Sequence, residues 1–456
     1  MNEVKAWRNG VLTAYAGSGL VFASWVSRIP AIKNDLGLTP GTVGLMLLCM
    51  SLGSFISVGA SGLVVLRLGS KLTTRLGSLI QTTGIVVLGV GATVFANPLV
   101  VGAGLIVVGL GTGSWNAASN IEGAAVERAL HRHIMPRLHG SFSIGTVVGA
   151  GLGAAAASIH LPVAVHLSIV AIVVTVAVWK GAGHYQADER ASWAQNSSVT
   201  QNASSAQNTV AAPPLELNAV PGTGPIPVVS ARSLTANTAQ RSAEAKAAAK
   251  RSGRAKIAAA WRDPRTLMLG ILVLGLGLAE GAAGDWVALA MVDGFGAKPA
   301  IGAIGYGIFV SAMTIGRFAG TVLLDRFGRV VVLRVSAATA VVGLALFVLA
   351  PGQDIALFAL VFWGLGSALG FPVAMSAASD DPVHAAARVS VVSTVGYGAF
   401  LGGPPLLGLL AEHIGVLHSL LAVLIMLVVA FFLTPAVRRP AYLEGKISSH
   451  GDSVVA

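Results

Sequence analysis

Long apolar runs alternate with short polar stretches along almost the whole chain. They fall at about 10–29, 40–65, 76–96, 98–120, 139–159, 161–180, 266–291, 300–323, 330–350, 354–378, 386–410 and 414–435. Most reach or approach the ~20 residues that carry a helix across a bilayer core. The pattern predicts an all-α membrane protein with twelve transmembrane helices. Between the sixth and seventh runs, residues 183–262 lose the apolar periodicity and turn to Ala, Ser, Asn, Gln and Pro. The expected organisation is a six-helix bundle over 1–182, a linker over 183–262, a second six-helix bundle over 263–437 and a tail over 438–456. Within the linker, 196–230 has the composition of a disordered segment. Residues 241–261, rich in Ala and Lys/Arg, suit a basic helix lying on an anionic leaflet.

Composition supports the membrane assignment. Of 456 residues, 54% are apolar and only 11% charged, and mean hydropathy is +0.76; soluble domains carry roughly 25% charged residues. The single cysteine, Cys49, rules out an internal disulfide framework. Arg67, Lys71, Arg75, Arg128, Arg132, Arg137, Arg326, Arg329, Arg334 and Arg388 gather in loops on one side, with Lys5, Arg8, Arg438, Arg439 and Lys446 at the ends. By the positive-inside rule both termini are expected in the cytoplasm. That bias and the linker account for the net charge of +11 without nucleic acid. No residue pattern calls for a metal or cofactor.

The informative residues are polar ones inside the apolar runs. The seventh run, 267–292, carries Glu280 and Asp285 among Gly275, Gly277, Gly281 and Gly284. An acid at the centre of a membrane helix costs roughly 2.5–3.5 kcal/mol even on insertion scales, so a partner or a water-filled cavity is expected beside it. The fourth run carries Trp115, Asn116, Asn120 and Glu122, with the two asparagines on one helical face. They can hold a ligand or a neighbouring helix. The first run ends in Trp25, Arg28 and Pro30; Trp25 suits an interface anchor or a cavity wall, and Arg28 either a solvated rim or a partner for an acid.

The two halves repeat. Trp25, Arg67, Gly69, Gly109, Gly111 and Arg137 match Trp286, Arg326, Gly328, Gly364, Gly366 and Arg388 in order. Gly62-Leu-Val-Val-Leu66-Arg67-Leu-Gly69-Ser-Lys71 and Thr321-Val-Leu-Leu-Asp325-Arg326-Phe-Gly328-Arg329, with Gly316-Arg317 before the second, resemble the loop motif of the major facilitator superfamily. Leu66 stands where that motif has Asp. Trp25-Val-Ser-Arg28-Ile-Pro30, Met135-Pro-Arg137-Leu-His139-Gly-Ser-Phe-Ser and Ala279-Glu280-Gly-Ala-Ala-Gly-Asp285-Trp286 resemble the branch that includes rhizopine-transport and fucose-permease-like proteins.

The resemblance implies the major facilitator fold and secondary transport of a small polar solute across the cytoplasmic membrane, coupled to protons. No enzymatic activity and a monomer in the bilayer are expected. Helices one, four, seven and ten would line the cavity around a midplane site. Glu280, then Glu122, are the proton-coupling candidates, because a buried carboxylate can exchange a proton. Trp25, Trp115, Asn116, Asn120, Trp286, Phe371, Met375 and Tyr397 are candidates for the cavity wall. Arg28 and Asp285 are expected to pair across the outer gate. Arg67, Arg137, His139, Arg317, Asp325, Arg326 and Arg388 are candidates for the cytoplasmic gate. A sparse supply of aromatic and Met residues near the cavity favours a polar solute over the alternative, a drug or metabolite efflux pump. A non-transporting membrane sensor is the further alternative.

Overall fold

The computed structural model describes residues 2–130, 134–186, 255–381 and 384–439, which form helices and the short connections between them. Most of the 183–262 linker and of the tail lies outside the described residues. In chain order the helices are α1 (Asn2–Val26), α2 (Ile29–Asp35), α3 (Pro40–Thr93), α4 (Pro98–Leu130), α5 (Met135–Ser158), α6 (Val163–Ala182) and α7 (Pro264–Leu289). There follow α8 (Pro299–Val348), α9 (Gln353–Ser367), α10 (Gly370–Ala378), α11 (Ala385–Ser419) and α12 (Leu421–Leu433).

Among the described residues, ten segments are long and apolar enough to span a membrane. One of them, Pro40–Thr93, is two antiparallel arms joined at Gly69, and the shorter Leu421–Val437 supplies the last crossing. The described residues therefore make the twelve crossings that the hydropathy predicts, and both ends lie on one side, here called the terminal side. Several helices outrun their apolar cores. α1 begins at Asn2 and α4 continues to Leu130, because hydropathy marks the hydrocarbon slab and not the helix.

The repeat is visible in the backbone. Gly69 and Gly328 turn α3 and α8 back on themselves with nearly the same dihedrals, φ 74 and ψ 163 against φ 75 and ψ 164. Positive φ of this kind is open to glycine and strained for other residues, which explains why each loop motif keeps its glycine. The fourth and tenth crossings also sit alike. A Cβ on Gly111 would strike the backbone of Gln81, and one on Gly366 the backbone of Ala340. In each half the glycine packs its crossing against the one that follows the glycine turn.

The tenth crossing is interrupted between Ser367 and Gly370, just before Phe371-Pro372. In α11 the helix runs on through Pro404 and Pro405, and its non-helical backbone falls at Gly415.

Candidate functional site

A cavity of about 550 Å³ lies between the two sets of helices, within the range of small-molecule sites. Its first-half wall offers neutral polar groups: Ser18 on α1, Ser51 and Ser54 on the first arm of α3, Gln81 on the second, Thr112 and Asn116 on α4, and Ser143 and Thr146 on α5. Asn116 accepts from Ser18 Oγ at 3.2 Å. Gln81 is buried and its Oε1 meets no partner among the described residues, leaving an acceptor for a hydroxyl.

The second-half wall is charged. Glu280 and Asp285 of α7 face the cavity with Arg317 and Tyr306 of α8. Arg317 Nη2 donates to Glu280 Oε1 at 2.6 Å, and the two side chains keep 31% and 28% exposure. Asp285, half-buried about one and a half turns further along α7, makes no hydrogen bond or ion pair with the described residues. Glycines flank both acids: a Cβ at Gly281 would meet the Phe400 ring, and one at Gly284 would touch Phe22.

On the side opposite the termini the halves meet closely. Thr39 Oγ1 donates to Glu412 Oε1 at 2.6 Å, Lys33 Nζ lies 3.0 Å from Asp293 Oδ2, and Ser51 Oγ donates to the Phe400 carbonyl at 2.8 Å. Gly44 and Gly408 bring α3 and α11 together backbone to backbone. These contacts close the gap between the halves on the side opposite the termini.

Several expectations are corrected. Arg28 does not pair with Asp285: it turns away to donate to the Leu161 carbonyl at 2.6 Å. Lys33, Asp293, Thr39 and Glu412 occupy the gate instead. Glu122 is not on the cavity wall. It is fully buried, accepting from Trp7 Nε1 and Ser70 Oγ at 2.5 Å each. Trp25, Trp115 and Trp286 are core residues behind the wall; Trp115 packs where a Cβ on Gly77 would collide with its backbone. Asn120 accepts from Tyr15 Oη at 2.6 Å and is glue between α1 and α4.

Nor does the tenth crossing line the cavity as expected. Met375 lies against Ser393, whose hydroxyl points at its sulfur at 3.9 Å, and Phe371 is absent from the wall. The second, fifth, eighth and eleventh crossings contribute in its place. Tyr397 does line the cavity. The wall also holds Phe22, Phe55, Phe142, Phe309, Phe400, Met50 and Met313, so aromatic and Met residues are not sparse there.

Of the terminal-side candidates, Arg67, Arg137, His139, Asp325 and Arg326 are exposed, and Arg326 lies over the Phe327 ring at 5.3 Å. Arg388 pairs within its own half, with Asp263 at 3.3 Å and Asp381 at 3.7 Å. Arg317 belongs to the cavity. Of the basic helix expected over 241–261, only 255–261 lie among the described residues, and 255–260 are helical.

The model of the Major Facilitator Superfamily matches residues 10–402. The chain belongs to the major facilitator superfamily. It is 28% identical over 407 residues to an uncharacterised transporter, y4wD, of Sinorhizobium fredii, covering 89% of this chain and 91% of that one. It is 26% identical over 413 residues to the membrane protein MosC of Rhizobium meliloti, covering 89% and 84%, in agreement with the branch that the motifs suggest. Among solved structures, the nucleoside transporter NupG superposes with a TM-score of 0.63 at 14% identity, over 96% of this chain and 98% of that one. This superfamily member is thus a multi-pass membrane protein of a transporter family with the major facilitator fold.

Proposed function

We propose that this protein is a secondary active transporter for a small polar solute, a sugar, a polyol or a related metabolite, coupled to protons and working by alternating access as a monomer in the cytoplasmic membrane, with the terminal side facing the cytoplasm. The observation that carries this is the cavity itself. It is large enough for one small molecule, sealed on one side by contacts between the halves, and walled by hydroxyl and amide groups facing a charged cluster. Asn116, Gln81 and the serine hydroxyls suit a solute with several hydroxyls, and the aromatic rings suit its apolar face.

For coupling, the geometry favours Asp285 over Glu280. Glu280 already has the Arg317 guanidinium as its counter-charge. Asp285 has none among the described residues, and a lone carboxylate in a greasy wall is costly while charged, so it is the acid to carry a proton in and release it. The aromatic wall favours a second reading, export of an apolar metabolite or drug.

Reconstituted protein tested for uptake under an imposed pH gradient separates these. Accumulation of a sugar, polyol or nucleoside against its gradient supports the first reading. Transport confined to lipophilic cations sinks it.

A further inference from the structure

At the end of α1 away from the termini, a buried guanidinium, a buried imidazole and a helix N-terminus come together. Arg28 is 4% exposed, and it aims Nη2 at the Leu161 carbonyl, 2.6 Å away. That carbonyl lies two residues before α6, whose first N–H groups have no helical acceptor and whose end carries a positive partial charge. His166, in the first turn of α6, the helix before which Arg28 grips the Leu161 carbonyl, is 5% exposed. Arg28 Nε and Nη1 and both ring nitrogens of His166 meet no partner among the described residues. Ser24 Oγ and Trp25 Nε1, one turn back on α1, are orphaned too. The acid whose field reaches Arg28 is Asp35, which is exposed on α2.

A buried guanidinium is expensive unless its charge and donors are met, and a helix N-terminus beside it adds to the same sign. We propose that Arg28, His166 and the first N–H groups of α6 hold a small monovalent anion of about the size of chloride. Helix N-termini bind anions through the same combination of N–H groups and dipole. The ion ties the outer end of α1 to α6 and so fixes the turn that leads into α2 and Lys33.

The test uses the full chain in detergent at constant ionic strength, with chloride exchanged for gluconate. Chloride and bromide should raise the unfolding temperature saturably, by roughly 2–4 °C, because they bind the native state. Arg28→Gln should lose the dependence on anion identity and His166→Gln should weaken it. Should Arg28→Gln not fold, the wild-type protein should broaden the chloride NMR line and His166→Gln should broaden it less. Equal unfolding temperatures in chloride and gluconate with no line broadening, or an unchanged chloride response in His166→Gln, would overturn the proposal and assign the orphaned groups to buried water. The readout is independent of transport, so it stands or falls apart from the reading of the cavity.

Discussion

The two halves hold the same device in different chemistry. In the first, Glu122 near the end of α4 is held by Trp7 of α1 and Ser70 at the start of the second arm of α3. In the second, Asp380 after α10 is held by Arg265 of α7 at 3.0 Å and by Arg329 of α8 at 2.6 Å, with Arg439 at 3.7 Å. Trp7, Ser70 and Glu122 precede Arg265, Arg329 and Asp380 by 258, 259 and 258 positions. One acid therefore clasps the same three crossings in each half, by indole and hydroxyl in one and by guanidinium in the other. The cavity walls differ in the same direction, neutral in the first half and ionic in the second. A repeated scaffold has kept its geometry while its charge has concentrated in one copy. The first half then offers a solute hydrogen bonds, and the second offers it a field.

That contrast can be broken or sharpened by substitution. The largest effect is expected at the second clasp. Asp380→Ala leaves Arg265 and Arg329 around a missing charge and should cost about 3–5 kcal/mol of stability, read as thermal unfolding in detergent. On the charged wall, Arg317→Gln leaves Glu280 unpaired. A hydrogen bond to a charged group contributes about 1.5–3 kcal/mol, and uptake should fall about 10- to 100-fold. On the neutral wall, Asn116→Ala removes an ordinary hydrogen bond of about 0.5–1.5 kcal/mol and should reduce uptake about two- to tenfold. Ser70→Ala, which takes one neutral donor from the buried Glu122 and leaves Trp7 in place, should cost about 1–3 kcal/mol of stability, less than Asp380→Ala. If Ser70→Ala proved as damaging as Asp380→Ala, the two clasps would not differ as the structure says.

Much of the fold is legible from periodicity alone. The apolar runs locate all twelve crossings, and the glycines of the loop motifs mark the turns at Gly69 and Gly328 because only that residue adopts such a backbone cheaply. Of the site, Glu280, Asp285 and Asn116 stand out as polar residues in greasy helices, and each faces the cavity. Glu122 carries the same signal and has a different fate. Its partners Trp7 and Ser70 lie 115 and 52 residues away, a separation that no local pattern reveals. Tryptophans are ambiguous for a related reason. Trp25, Trp115 and Trp286 are large enough to be core and polar enough to be wall, and packing decides. The gate escapes the sequence because the short helix α2 carries Lys33, not Arg28, across to the other half. Ser51, Ser54 and Thr146 escape it because a lone hydroxyl in a membrane helix usually bonds its own backbone.

The account depends most on the uncompensated acid of the charged wall. Its most direct test compares two assays on Asp285→Asn protein in liposomes: solute exchange with no gradient, and accumulation driven by a pH gradient. Exchange kept near wild-type rates with accumulation abolished is the expected result. Undiminished accumulation in Asp285→Asn would contradict it and move proton coupling away from this residue.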